Sequence, residues 1–295
     1  MTRPVILTAC INGGRPDAAS INSSLPISPS AIAAAAKDAA RLGAAVLHIH
    51  ARNPSTGVPC NSPEIWAEIV RLIREDETDI LLNLSASMDG FLYLDDSRSF
   101  QFSSKSTLRP PAGRAAHILT ERPEIGTIDF GTFAIDEAIH VARPSDLREM
   151  ARLYSEAGIV AEVECFDFGH LETARKLIEE GCFPDRPFVQ LCLGTAYGGA
   201  PATHSAFSAM RERIPAGLAW AAFAAGDDNI WVMRETVIGG GHVRAGLEDC
   251  LTDGNGSPVS NGELLKTAVK TISEAGGRPA TPAEARAILG IKKIN

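Results

Sequence analysis

Short apolar runs of strand length alternate with helical stretches along the whole chain, and that alternation constrains the fold more than any single motif. Strands are expected over Val5–Ile11, Ala44–His50, Ile80–Leu84, Ile125–Phe130, Val160–Phe166, Phe188–Leu193, Leu218–Phe223 and His242–Leu247. Helices are expected between and after them, over 31–42, 63–74, 112–121, 144–157, 171–180, 201–213, 229–238, 261–275 and 282–289. The boundaries carry chemical signals. Ser28-Pro29 reads as an N-cap followed by proline at the first helical position. Gly43 and Gly158 stop their helices. Ile65, Trp66, Ile69, Leu72 and Ile73 form an apolar stripe at helical spacing. Regular β–α alternation argues for a parallel α/β fold. Eight units in one domain, 1–295, favour the (β/α)8 TIM barrel over an open doubly wound sheet. One connection, 85–110, is long and polar and reads as a lid, an insertion or a mobile segment.

The 295 residues are 45% hydrophobic, enough for one large core. The formal charge is −8. No Lys/Arg run breaks this balance, so no nucleic-acid partner is expected. A small anionic substrate needs only one or two local arginines. The six cysteines show no zinc-finger or Cys-x-x-Cys spacing and read as buried free thiols of a reducing compartment. No signal peptide is expected at the N-terminus. The longest apolar stretch, 217–225, is too short to cross a bilayer. A cytoplasmic protein without a membrane partner is the expectation.

In a barrel, reactive residues sit where strands end. His48 and His50 are two apart on a strand and share a face. Neutral imidazoles are common ligands of zinc and similar metals. The competing reading is two satisfied core or surface histidines. Glu162 and Glu164 repeat the same i, i+2 pattern in an apolar strand. Burying both unpaired is costly, so a metal or a nearby arginine is expected beside one of them. Ser85 places a small hydroxyl at the third strand's end. Near the C-terminus, Arg244, Gly246 and Glu248 would share one face if the last strand persisted. Glu248 is then a candidate third ligand, and two His with one carboxylate form a known catalytic zinc set. Arg244 can clamp a carboxylate through its planar fork. Asp249 can pair with Arg244 or act as a base. The competing reading for that pair is an ordinary surface ion pair.

Taken together, His48-Ile49-His50-Ala51-Arg52, Pro123-Glu124-Ile125, Glu162-Val163-Glu164-Cys165-Phe166-Asp167, Gly241-His242-Val243-Arg244-Ala245-Gly246-Leu247-Glu248-Asp249 and Ala280-Thr281-Pro282-Ala283-Glu284-Ala285-Arg286 resemble the β-keto acid cleavage enzymes, the group that includes 3-keto-5-aminohexanoate cleavage enzyme. The resemblance covers nearly the whole chain. It implies a zinc-bearing (β/α)8 barrel, other divalent metals being possible, and a homo-oligomer, often a tetramer. It implies that His48, His50 and Glu248 hold the metal. It implies that a β-keto acid reacts with acetyl-CoA as co-substrate, giving acetoacetate and a new acyl-CoA. Arg244 and Asp249 would position the substrate and deprotonate its α-carbon. Ser85 matches the family's hydroxyl position, Glu164 its strand-five carboxylate, and Thr127 a polar substrate-binding position on strand four.

Two departures from the family pattern stand out. Ser85-Ala86-Ser87-Met88 replaces a threonine- and glycine-rich loop. Asn12-Gly13-Gly14-Arg15 replaces a segment that often ends in an acid. Arg15 is therefore expected to read an anionic or polar distal group of the substrate in place of a cationic one. The alternative enzyme is a metal-dependent barrel hydrolase or lyase acting on a small carboxylate. A non-catalytic scaffold or sensor is a further alternative, although a scaffold has no need of an open metal site.

Overall fold

The computed structural model describes residues 2–291 apart from 77, 96, 98–100 and 185. Eight parallel strands close into a barrel. They are β1 (Leu7–Cys10), β2 (Val46–Ile49), β3 (Leu81–Leu84), β4 (Ile125–Phe130), β5 (Val160–Cys165), β6 (Phe188–Leu193), β7 (Trp220–Ala224) and β8 (His242–Ala245). Each strand pairs with the next in sequence, and β8 pairs with β1. Besides one short turn at Ala18–Ile21, the helices are α1 (Pro29–Arg41), α2 (Pro63–Glu75), α3 (Pro111–Glu121), α4 (Pro144–Ala157), α5 (Phe168–Glu179), α6 (His204–Arg211), α7 (Asn229–Ile238), α8 (Asn261–Glu274) and α9 (Pro282–Leu289). The fold is the expected (β/α)8 barrel.

Local chemistry sets the helix ends. The Ser28 hydroxyl accepts the Ala31 N–H, and Pro29 begins α1. Ser260 with Glu263, and Thr281 with Glu284, form capping boxes on α8 and α9. The stripe on α2 buries Trp66, Ile69 and Ile73 against the barrel. Alternation does the rest. Leu47 and Ile49 on β2, Leu82 and Leu84 on β3, and Val163 and Cys165 on β5 join the main apolar core. A second cluster fills the lower barrel: Ile6, Val46, Leu81, Ile125, Val160, Phe188 and Ala221 pack with Ala285 and Leu289 of α9. The last helix thus closes the bottom.

The strands are staggered by about one residue per neighbour, so side chains from alternate strands share levels inside the barrel. The register puts Thr8, Asn83, Glu162 and Ala221 on one level. His48, Thr127, Gln190 and Arg244 lie on the next, followed by Cys10, Ser85, Glu164 and Phe223. Polarity rises from the α9-sealed end toward the strands' C-terminal ends, where chemistry is concentrated.

Several local expectations change. The first predicted strand is two: Arg3–Val5 pairs with Gly277–Pro279 outside the barrel, and β1 starts at Leu7. The last strand ends at Ala245, not Leu247. There Gly246 takes a φ of 159°, and an added Cβ would lie 2.0 Å from the Cys10 carbonyl oxygen. Only glycine tolerates that approach, and the chain turns at once. Cys60 and Cys182 are half-buried, while Cys10, Cys165, Cys192 and Cys250 are buried. Part of the connection over 85–110 forms a sheet with residues after β4. Phe91–Tyr93 pairs with Ala138–His140, which pairs with Phe133–Ile135, in a three-stranded antiparallel sheet. Residues 96 and 98–100 of that connection lie outside the described residues. The 133–140 hairpin escapes sequence reading because three-residue strands are too short to show a period.

Candidate metal centre and reacting site

His48 and His50 project from the end of β2 into the barrel mouth, with their Nε2 atoms 3.2 Å apart. Glu248 meets both: Oε2 lies 3.3 Å from His48 Nε2, and Oε1 lies 3.4 Å from His50 Nε2. Strand alternation does not bring Glu248 there, because β8 has ended. The turn at Gly246 does, with the Glu248 N–H donating to the Cys10 carbonyl at 3.1 Å. One ligand atom from each residue lies within 4.8 Å of the others. Glu248 Oε2 is buried and makes no well-aligned hydrogen bond. Two imidazole nitrogens and a carboxylate oxygen converging in this way fit a divalent metal. Burial opposes the charge on Glu248, but His48, Arg244 and His50 hold its carboxyl well below the usual range. Asn12 fixes β2's end: its amide donates to the His50 carbonyl at 2.9 Å and accepts the His50 N–H at 3.0 Å.

Beside this trio lies a buried charge cluster centred on Arg244. Its Nε and Nη2 donate to the two Asp249 oxygens at 2.9 and 2.6 Å, a bidentate fork. Nη1 donates to Glu164 at 3.2 Å, and Nη2 lies 3.2 Å from Glu248. The guanidinium sits 3.8 Å over the Phe223 ring, which restrains its plane. Burial pushes the Asp249 carboxyl up, with Arg244 pulling against it. The Cys10 thiol donates to Asp249 at 2.9 Å.

The remaining predicted residues separate. Ser85 is buried at the end of β3, its hydroxyl 2.9 Å from that of Ser87. Thr127 is fully buried, and its hydroxyl accepts the Ala86 N–H at 3.0 Å, bracing the Ser85–Ser87 turn. Glu162 sits one level below the histidines and accepts the Asn83 amide at 2.6 Å. Arg15 stands apart: its side chain is 60% exposed and pairs with Asp17. Its backbone carbonyl accepts from Arg52, whose Nη2 also donates to the Asn12 and Gly13 carbonyls at 2.8 and 2.7 Å. This wholly buried arginine holds the loop after β1 against the site, and burial lowers its pKa to about 10.

Sequence reasoning passes over four contributors. Asn12 reads in the sequence only as part of a departing loop. His117 donates to the Ser85 carbonyl at 2.8 Å and stacks on Trp66. Asp129 and His140 meet at 3.3 Å behind Glu164. The signal available for Asp129 is its place two residues after Thr127 on β4. His140 has none, because its hairpin leaves no period to read. A cavity of about 400 Å³ opens on the same rim, lined by Thr132, Phe133, Asp167 and Tyr197 among others.

With this geometry in hand, comparison with known proteins is informative. A model of the beta-keto acid cleavage enzyme family matches residues 4–291. The 3-dehydrocarnitine:acetyl-CoA trimethylamine transferase of Rhizobium meliloti (strain 1021) is 37% identical over 99% of this chain and 98% of its own. The 3-keto-5-aminohexanoate cleavage enzyme of Fusobacterium nucleatum subsp. nucleatum is 29% identical over 99% of this chain and 100% of its own. Among solved structures, the apo structure of ObcA superposes with a TM-score of 0.71 at 19% identity. That match covers 90% of this chain and 65% of ObcA, so the chain spans just under two thirds of that longer protein and shares its fold.

Proposed function

The chain belongs to the beta-keto acid cleavage enzyme family, and on that premise we propose that it condenses a β-keto acid with acetyl-CoA, releasing acetoacetate and a new acyl-CoA. The observation that carries this reading is the meeting of His48, His50 and Glu248 with the Arg244–Asp249 fork on one barrel rim. A divalent metal held by that trio would polarise a keto oxygen and so acidify the neighbouring α-carbon. Zinc suits the donors, and manganese, iron or cobalt fit the same set.

The chain's own residues supply the rest. Asp249, a buried carboxylate made more basic by desolvation, is the base that takes the α-proton. Arg244 fixes its orientation and keeps positive charge beside the developing enolate. The carbanion attacks the acetyl carbonyl carbon, and the thioester C–S bond breaks to release CoA thiolate. The thiolate adds to the original keto carbon. The C–C bond then breaks, its electrons pass to the acetoacetate fragment, and the proton held by Asp249 returns to that carbon. Ser85 and Glu164 line the same rim as hydrogen-bonding groups for substrate oxygens. Thr127 contributes by holding the Ser85 turn. Arg15, at the rim, reads the distal group.

Among the described residues no helix is long and apolar enough to cross a membrane. The six cysteines are free thiols, which supports a reducing, cytoplasmic setting. The partners are small molecules. The family resemblance is the support for a homo-oligomer, which we take to be a tetramer.

The test is acetoacetate formation by metal-loaded protein with 3-dehydrocarnitine, 3-oxoadipate, 3,5-dioxohexanoate and 3-keto-5-aminohexanoate, with and without acetyl-CoA. Turnover that requires acetyl-CoA supports the reading. Cleavage without acetyl-CoA points to a hydrolase or lyase and overturns it. His48→Ala and Glu248→Gln should lose bound metal by elemental analysis. They should also lose more activity than the roughly 10–100-fold typical of removing an outer partner of a ligand.

A further inference from the structure

The two glutamates of β5 keep different company. Glu164 reaches Arg244 at the rim. Glu162 points into the barrel one level lower and is fully buried, with its Oε2 accepting the Asn83 amide. Its other oxygen, Oε1, has no hydrogen-bond partner among the described residues. Four more buried atoms inside the barrel share that condition: Thr8 Oγ1 from β1, His48 Nδ1 from β2, Asn83 Oδ1 from β3 and Gln190 Oε1 from β6. The register sets all five residues on two neighbouring levels, above the apolar floor and below the rim. Folded interiors leave few such atoms unpaired, so five together point to a shared partner.

The bonds that these groups do make fix how they face. An ionised carboxylate only accepts, so Asn83 must turn its NH2 to Glu162 and its Oδ1 away. Gln190 Nε2 donates to the Leu191 carbonyl at 3.3 Å, which turns its Oε1 the other way. His48 Nε2 faces Glu248 and His50. With that nitrogen as a metal ligand, the ring proton belongs on Nδ1, which becomes a donor. Asn83 is the register partner of His48 across β2 and β3, strands about 4.8 Å apart. Asn83 therefore spans the gap from His48 to Glu162. The unpaired Nδ1 of His50 lies elsewhere, against the loop after β1, where a Cβ at Gly14 would be 3.1 Å away.

The interior set thus holds two donors, Thr8 O–H and His48 Nδ1–H, and three acceptors, the side-chain oxygens of Asn83, Glu162 and Gln190. Water donates two hydrogen bonds and accepts two, and so complements a mixed set. A cation would suit the oxygens but would be repelled by the imidazole N–H.

We propose that Glu162 is a positioning residue for the metal ligand His48, holding its Nδ1–H through ordered water enclosed with Thr8, Asn83 and Gln190 inside the barrel. The water accepts from His48 Nδ1–H and donates to Glu162 Oε1, while Asn83 holds the other carboxylate oxygen. Such an outer carboxylate fixes the tautomer and orientation of a ligating imidazole and strengthens it as a ligand. The pair on β5 is then divided between two tasks: Glu164 serves the rim, and Glu162 serves the ligand beneath it. The proposal rests on the reading that His48, His50 and Glu248 hold a metal, and it does not depend on turnover.

The test compares the unmodified protein with Glu162→Gln, which keeps the shape and an acceptor for Asn83 but loses the charge. Zn²⁺ affinity, read by competition with a chelator, should fall by about 10–100-fold. The visible spectrum of the Co²⁺-loaded protein should shift as well, because the orientation of His48 changes. A crystal structure of the unmodified Zn²⁺-loaded protein should show ordered water within hydrogen-bond distance of both His48 Nδ1 and Glu162 Oε1. That structure needs no variant and decides the matter if Glu162→Gln does not fold. A direct protein partner on His48 Nδ1, or a cation in place of the water, overturns the proposal. So does an unchanged affinity in folded Glu162→Gln, even with the water present. A lower affinity with an unmoved Co²⁺ spectrum marks lost packing and overturns it too. Unmodified protein that retains no divalent metal overturns the metal reading and this proposal together, whereas normal metal binding with an unaffected variant overturns the proposal alone.

Discussion

Arg15 is the residue through which the proposed substrate preference can be tested without touching the metal or the Arg244–Asp249 fork. It stands at the rim, 60% exposed, and forms a bidentate pair with Asp17. Asp136, at the tip of the inserted hairpin, also acts on its charge. An exposed pair of this kind contributes little to stability, on the order of 0–1 kcal/mol. Its side chain is therefore free to be read by a substrate. Arg15→Glu should leave the fold and the metal content unchanged. It should shift preference toward 3-dehydrocarnitine, which carries a cationic group, and away from the dianionic 3-oxoadipate, by about tenfold or more in the kcat/KM ratio. An unchanged ranking across the panel would remove Arg15 from the specificity argument. Arg52 is the opposite case: its wholly buried guanidinium spends its donors on backbone carbonyls and acts by fixing the loop that presents Arg15.

At the scale of elements, α9 is the least obvious contributor to the site. It lies at the far end of the barrel, with Ala285 and Leu289 packed among Ile6, Val46, Ile125 and Phe188. Those residues form the dry floor beneath the polar levels. Leu289→Ala would leave a cavity against close-packed neighbours and should cost about 2–5 kcal/mol, read as a lower urea midpoint. Metal binding should persist in the folded fraction, since His48, His50 and Glu248 sit at the opposite end. A variant that keeps its midpoint would show that α9 only caps the floor. The inserted sheet has a different role, because it carries His140 to Asp129 and packs at the reacting end.

For the molecule as a whole, buried neutral histidines set the response to acid. His242 accepts the Ile6 N–H at the barrel floor, and burial pushes its pKa down to about 3. His117 and His140 are likewise lowered by burial, each to about 4. In the unfolded chain all three take a proton near 6.5. Below that pH the unfolded state binds more protons than the native state, so stability falls as pH drops through 6.5. At pH 5 the loss is at most about 2 kcal/mol for each imidazole. Urea midpoints should therefore decline between pH 7.5 and pH 5. His242→Gln, which can still accept from Ile6, should flatten the decline. An equal slope in that variant would assign the acid response to the carboxylates instead.

The chain's own order of residues determined the alternation of strands and helices, and hence the barrel, because strand and helix periods and caps are local properties. It also determined the His48–His50 pair, whose shared face follows from strand geometry alone. How Glu248 reaches that pair was decided by tertiary structure. The strand stops at Ala245, and the turn exists because Gly246 must pass against the Cys10 carbonyl of a strand more than 230 positions earlier. The same holds for Asp129, His140 and Arg114. Each is unremarkable in its own segment, and they meet only because β4, a short hairpin and α3 converge over the mouth of a closed barrel. Electrostatic partnership depends on distance through space, and spacing along the sequence reports that distance only within one strand or one helix turn.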